Sequence, residues 1–204
     1  MLAENKYQDQ DKVKVYVECD EEIKLPTYGS EWSAGLDIYL PEPVVLRPGE
    51  KKIIPSGLKL AIPAGTELQL RPRSGLSLKS NLKISNSPGT IDADYRDEIG
   101  VIAENTFRMS DLLDEILLKP ELKEKLRTEY QEYDYAEYSG YELKSPLPLY
   151  LDKHGNPYGT IYLAKGERIA QLVLGLYLKL EFEKVSDIRQ YGADRGGGFG
   201  STGR

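Results

Sequence analysis

Apolar and polar positions alternate along most of this chain with the two-residue period of β-strands, and only the middle departs from it. Val13, Val15 and Val17 share one face of the first such run, a pattern that predicts a half-buried strand. Short β-like runs follow at Leu36 to Tyr39, Pro43 to Leu46, Lys51 to Pro55, Leu58 to Ile62 and Glu67 to Arg71. Turn signals separate them: Arg47-Pro48-Gly49-Glu50, Pro55-Ser56-Gly57 and Ile62-Pro63-Ala64-Gly65. Two further strands are predicted near Gly159 to Leu163 and from Ile169 to Phe182. Many short strands with Pro/Gly turns predict a mainly β fold, an antiparallel sandwich or barrel. No internal repeat is present.

The middle reads differently. Ser110 is a candidate N-cap, followed by Asp111 in the first turn, where a negative charge suits the helix dipole. Leu112, Leu113, Ile116 and Leu117 then fall on one helical face. Pro120 breaks or restarts the helix, because its ring excludes the preceding turn but is tolerated at a first helical position. Leu122, Leu126 and Tyr130 continue at helical spacing, and a tyrosine-rich stretch follows at Tyr133, Tyr135, Tyr138 and Tyr141. Residues 107–158 are therefore expected to form a largely helical insertion within a single domain spanning 1–204. Residues 192–204 are expected to be a flexible arm.

A length of 204 residues accommodates one domain with an insertion and a core that needs no staples. Cys19 is the only cysteine, so no intrachain disulfide forms, and the composition fits a reducing compartment. The first eleven residues are polar and read as a loose tail, not a signal peptide. The apolar stretch from Ile169 to Leu180 is interrupted by Gln171, Gly175 and Lys179 and is too short to span a bilayer. A cytoplasmic protein without membrane association is expected. The net charge of −6 argues against a general nucleic-acid binder, though local arginines and backbone N–H groups still suit a small anion.

Four segments carry candidate chemistry. In Arg71-Pro72-Arg73-Ser74-Gly75-Leu76-Ser77, two guanidinium groups stand beside a Ser-Gly turn; the pattern suits an anion, and an ordinary turn with solvated arginines is the alternative. The segment Asn86 to Glu98 reads as a turn, a short hairpin and an acidic cluster. Within it Asp92 could take a proton from water and Tyr95 could offer a ring to a base or sugar; a charged hairpin tip is the alternative. In Gly166-Glu167-Arg168-Ile169-Ala170-Gln171-Leu172, polar residues interrupt an apolar strand: Arg168 reads as a structural ion pair and Gln171 as a ligand candidate. The fourth segment, Arg195 to Gly203, holds five glycines in nine residues, which alone suggests a disordered terminus. Phe199, Ser201 and Thr202 within it also suit an arm that folds over a nucleotide. No GxxxxGK[ST] phosphate loop occurs. His154, in the turn His154-Gly155-Asn156-Pro157, reads as a surface residue, and Cys19 as structural.

Together with Ser33-Ala34-Gly35-Leu36-Asp37-Ile38, these segments resemble the five ordered motifs of the trimeric dUTP pyrophosphatases (dUTPases). The resemblance covers the chain from about Val13 to Gly203, apart from the middle. It implies a jelly-roll-like β-barrel, a homotrimer with sites at subunit interfaces, and hydrolysis of dUTP to dUMP and pyrophosphate. That reaction limits uracil in DNA and supplies dUMP for thymidylate synthesis. Carried over by position, Asp92 would deprotonate the water that attacks the α-phosphorus. Tyr95 would pack under the deoxyribose and exclude a 2′-hydroxyl. The hairpin around Asn86, Gly89 and Ile91 would read the uracil edge. Arg73, Ser74, Gly75 and Gln171 would hold the triphosphate, and Asp37 would act on Mg2+ through its waters. Phe199 would cover the uracil, with Arg195, Gly200, Ser201 and Thr202 completing the arm over the phosphates.

The sequence departs from that family in four places. Asp97 stands where glycine usually follows the Tyr-Arg pair, and Trp32 is a bulky residue before the first motif. Arg195 to Phe199 spans four positions where five are usual. About 50 residues separate the third and fourth motifs, as in phage members with inserts at a similar place, some of which bind regulatory proteins. The tyrosines suit such an interface, while helices that only stabilise their own trimer are the alternative. Two rival functions remain open at this level: a dCTP deaminase or bifunctional deaminase–dUTPase of the same fold, and a non-catalytic regulatory protein acting through the insertion.

Overall fold

The computed structural model describes residues 12–142, 147–194 and 196. Its strands in chain order are β1 (Tyr16–Glu18), β2 (Thr27–Tyr28), β3 (Leu36–Tyr39), β4 (Val44–Leu46), β5 (Lys51–Pro55), β6 (Lys59–Ala61) and β7 (Thr66–Arg71). They continue with β8 (Leu82–Ile84), β9 (Gly89–Ile91), β10 (Gly100–Asn105), β11 (Gln131–Asp134), β12 (Pro148–Leu151), β13 (Ile161–Leu163) and β14 (Arg168–Leu176). The helices are α1 (Ser74–Lys79), α2 (Met109–Leu118), α3 (Leu122–Glu129) and α4 (Tyr135–Ser139). The fold is mainly β and jelly-roll-like. A five-stranded sheet ordered β2-β3-β14-β7-β9 faces a three-stranded sheet ordered β5-β10-β8, and the pairs β1-β6 and β13-β4 complete the wrap.

Alternation along the strands builds the core between these layers. On β7, Thr66, Leu68 and Leu70 point inward while Glu67, Gln69 and Arg71 point outward. Strand β10 repeats this with Val101, Ala103 and Asn105 inward. On β14, Ile169 and Ala170 are both buried although they are consecutive. A register shift against β3 between Arg168 and Ala170 accounts for it, since a bulge turns two successive residues to one side. Ile38, Leu46, Ile54, Leu70, Val101, Ile169 and Leu172 are among the buried residues of this main core.

Residues 107–158 carry a second, smaller core of Phe107, Leu112, Leu122 and Leu126, flanked by Met109, Ile116, Tyr130, Tyr150 and Tyr158. Tyr158 stands edge-on to both Phe107 (5.6 Å between centroids) and Tyr130 (5.4 Å), geometry that suits the ring quadrupoles. Its hydroxyl donates to Glu115 Oε2 at 2.7 Å. Burial, and then that carboxylate, push its pKa up. Besides its helices, this segment holds an antiparallel pair, β11 with β12, that the helical periodicity did not foretell. The segment is rooted at one point: Asn105 Nδ2 donates to Leu46 O at 2.9 Å and to Gly159 O at 2.8 Å.

Four local expectations are corrected. Helix α2 starts at Met109 after Arg108, so Ser110 lies inside the first turn. Asp111 does the capping, accepting from Arg108 N at 2.8 Å. Leu113 and Leu117 face solvent at 67% and 78% exposure, because only Leu112 and Ile116 of that quartet meet the small core. Val13, Val15 and Val17 are all exposed in the chain, so β1 shows no buried face. Strand β14 ends at Leu176 and not at Phe182, since β7, its partner, runs out at Thr66 opposite Leu176. Among the described residues, no helix is long and apolar enough to cross a membrane.

Candidate active site

The register of three strands sets a polar row on the outer face of the five-stranded sheet. Gln171 on β14 lies opposite Asp37 on β3 and opposite Arg71 on β7, and directly opposed residues project to the same side. Residues 37, 71 and 171 are thus neighbours in space. They line a pocket of about 430 Å³ together with Ser33, Gly35, Arg73, Ser74, Gly75 and Arg168. Ser74 and Gly75 open α1 instead of forming an isolated turn.

Asp37 organises this pocket. It is buried. Arg73 Nε donates to its Oδ1 at 2.7 Å, and Arg168 Nη1 to its Oδ2 at 3.1 Å. One carboxylate therefore spaces two guanidinium groups that would otherwise repel, and Arg168 forms the ion pair that its place on an apolar strand suggested. The two bonds leave Asp37 with unused acceptor capacity, because an ionised carboxylate offers about four lone-pair sites. Gln171 Nε2 donates to Pro72 O at 2.9 Å and ties the arginine-bearing loop to β14. Gly35 packs directly on the Gln171 amide, where a Cβ would collide with Oε1 and come within 3.1 Å of Cδ.

Asn86, Gly89, Ile91, Asp92 and Tyr95 come together in a second pocket of about 200 Å³, completed by Leu70, Thr90, Ile99 and Gly100. The hairpin is tight: a Cβ on Gly89 would stand 2.8 Å from Asn86 Nδ2 and 3.1 Å from Asn86 O. Pro88 follows a cis peptide bond after Ser87. Beyond β9 the chain turns on Tyr95 N donating to Asp92 O at 3.1 Å. Arg96 Nη1 closes the same turn by donating to Ala93 O and Tyr95 O, each at 2.7 Å. Asp97, the departure in this motif, is exposed. Lys59 has its pKa raised, mainly by its hydrogen bond with Glu18, then by the charge of Glu18, and more weakly by Asp97 and Glu98.

The two pockets share no lining residue, so one chain holds the site residues in two groups. Arg195, Phe199, Gly200, Ser201 and Thr202 lie outside the described residues. Arg71, one of the two guanidinium groups whose pattern suits an anion, lines the arginine-bearing pocket because the strand register places it beside Gln171, and Ser33 of the first motif, given no role by the sequence, lines it too. Among the described residues, no three His, Cys, Asp or Glu side chains group to hold a metal ion. His154 sits in a turn, its N–H donating to Asp152 Oδ1 at 2.8 Å, and Cys19 is free.

Comparison with known proteins gives the arrangement its context. The dUTPase family model matches residues 21–110. A deoxyuridine 5′-triphosphate nucleotidohydrolase of Anaeromyxobacter sp. (strain Fw109-5) is 36% identical over 182 residues, covering 89% of each chain. One from Chlamydia pneumoniae is 50% identical over 93 residues, 45% of this chain and 64% of that protein. The Staphylococcus bacteriophage 80alpha dUTPase with dUPNHPP superposes with a TM-score of 0.66 at 26% identity, over 94% of this chain and 99% of that one. The dUTPase from phage phi11 of S. aureus, whose structure visualises a species-specific insert, gives 0.62 at 26% identity over 87% and 99%. With full-length relatedness to a nucleotidohydrolase, phage enzymes of the same fold and the motif residues gathered in two pockets, this chain belongs to the dUTPase family.

Proposed function

We propose that this dUTP diphosphatase cleaves dUTP to dUMP and pyrophosphate by in-line attack of water on the α-phosphorus, with Asp92 as general base. The observation that carries this reading is the joint placement of Asp92 and Tyr95 at a small hairpin pocket that also holds apolar Leu70, Ile91 and Ile99, polar Asn86 and Thr90, and two glycines. Such a pocket suits a planar base read along its edge by main-chain groups of residues 86–91. Tyr95 would then floor the sugar and Asp92 would face the water. Phosphoryl transfer depends mostly on positioning and charge neutralisation, so it needs little reactive side-chain chemistry beyond that base.

Arg73, Ser74, Gly75 and Gln171 would hold the triphosphate. Mg2+, when bound, would neutralise charge on the phosphate oxygens, held by the substrate and by waters that donate to the spare lone pairs of Asp37. The donor set fits that role: among the described residues Asp37 is the one carboxylate lining the phosphate pocket, as expected where the nucleotide supplies most ligands. Arg195, Phe199, Gly200, Ser201 and Thr202 would close over base and phosphates from the C-terminal arm, residues 192–204.

A homotrimer would unite the two groups of residues, the hairpin of one subunit facing the arginine pocket of another. The separation of the two pockets within one chain supports it, as does the large apolar surface left exposed at Leu176, Leu178, Leu180 and Phe182. Residues 107–158 would be an insertion in this domain with a regulatory protein as partner, a reading favoured by the exposed Tyr138 and Tyr141 beside acidic residues. The enzyme would work in the cytoplasm. Asp92→Asn tests the mechanism. It keeps the shape but loses the base, so pyrophosphate release should fall at least about a hundredfold while nucleotide binding by calorimetry persists. Undiminished release by the variant would overturn the assignment.

A further inference from the structure

We infer that Glu98 is a positioning residue that fixes the Tyr95 ring and thereby sets the preference for deoxyribose over ribose. Three observations meet at this residue. The Tyr95 hydroxyl donates to the main-chain oxygen of Glu98 at 2.9 Å. The Glu98 carboxylate, through Oε1, accepts the main-chain N–H of Gly57 at 2.6 Å, a contact across 41 residues of sequence. On either side of it the same two segments are joined again: Ser56 N donates to Ile99 O at 3.1 Å and Ile99 N to Leu58 O at 2.9 Å. The ring is therefore bonded to a backbone oxygen that is itself clamped to a distant turn.

That turn is a firm anchor. Gly57 takes a φ of +74°, and Ile23 covers it so closely that a Cβ would stand 2.7 Å from Ile23 Cδ1. Ser56 is buried, its hydroxyl accepting from Leu58 N at 3.2 Å. A charge-assisted bond from this turn to Glu98 costs little reorganisation, because the N–H is already held in place. Tyr95, by contrast, is 40% exposed in the chain, so packing within the chain covers only part of it. Its hydroxyl bond and the clamp behind it do that instead. A ring held this way is a rigid floor, and only a rigid floor penalises the extra oxygen of a ribose; a floor that swings away accommodates it.

The inference rests on the dUTP diphosphatase reading, and its test separates the two. Steady-state pyrophosphate release is measured for dUTP and UTP with the full chain and Mg2+. Glu98→Ala is expected to raise KM for dUTP more than it lowers kcat, and to narrow the dUTP-over-UTP ratio in kcat/KM by about 3- to 10-fold. Glu98→Gln should retain most of the preference, since its amide oxygen still accepts from Gly57. Tyr95→Phe keeps the ring but breaks the chain of bonds at its other end, so it should narrow the ratio equally, and adding Glu98→Ala to it should change nothing more. An unchanged ratio in Glu98→Ala overturns the inference, as does an equal further drop in the Tyr95→Phe background. Should Glu98→Ala not fold, Glu98→Asp, too short to reach Gly57, is read in its place with the same two outcomes. A wild-type chain that releases no pyrophosphate from dUTP would sink the parent reading instead.

Discussion

At Gly35 the absence of a single methyl group sets the shape of the arginine-lined pocket. Its Cα lies against the Gln171 amide, and that amide in turn ties Pro72 to β14. Gly35→Ala would push Gln171 aside rather than break the core, because the obstructing atoms are the end of a flexible side chain. The expected outcome is a dUTP KM raised by about 3- to 10-fold with a melting temperature within a few degrees of wild type. A loss of stability with KM unchanged would contradict this account. Asp37 shows the complementary case, where a residue serves through its neighbours. Each of its oxygens accepts from an arginine, which leaves its remaining lone pairs for the waters of a metal ion. Periodicity could not reveal this, because the partners are 36 and 131 residues away and only the strand register brings them together.

The elements were legible in proportion to how local their causes are. The strands from Leu36 to Arg71 follow alternation and Pro/Gly punctuation, and they appear close to where these place them. The β11-β12 pair was hidden because Tyr130 to Tyr141 fits either period, and the choice is made by pairing with residues 148–151. The base of that segment is polar and titratable. Arg47 Nε donates to Asn156 Oδ1 at 2.9 Å, Asn156 Nδ2 to the Tyr162 hydroxyl at 2.7 Å, and that hydroxyl to Asp152. Burial works against the charge on Asp152, but bonds from Tyr162 and from the N–H groups of Asn156 and His154 outweigh it, so its pKa lies below the ordinary 3.8. A carboxylate with a depressed folded-state pKa contributes stability that is present above pH 3.8 and is lost as pH falls through the lower folded value. Residues 107–158 should therefore loosen first in acid. Hydrogen exchange near pH 3 should show their amides opening before those of β7 and β14, and Asp152→Asn should reduce that difference. Simultaneous opening of both regions would argue against this.

For the whole molecule, the exposed apolar surface is the dominant fact. Leu178 and Phe182 are 92% and 87% exposed, and together with Leu176 and Leu180 they form an alternating apolar row that stands uncovered among the described residues. A row of this kind has the pattern of a strand awaiting a partner surface. Leu178→Glu combined with Phe182→Glu should convert the proposed trimer into monomers by sedimentation. Activity should fall with it, since neither pocket alone contains both Asp92 and Arg73. A monomeric variant with full activity would refute the shared site. This level was the least legible in sequence. The apolar residues were visible, but alternation alone assigns them to a buried face without saying whose.

The rooting of residues 107–158 at one spot has an evolutionary consequence. Phe107 at one end packs on Gly159 at the other, so closely that a Cβ there would overlap its ring, and Asn105 bonds to the oxygen of the same glycine. A segment whose two ends touch can be gained, lost or exchanged in a single genetic event without stretching the host fold. Lineages could thus vary this appendage freely while the catalytic scaffold beneath it stays under separate selection.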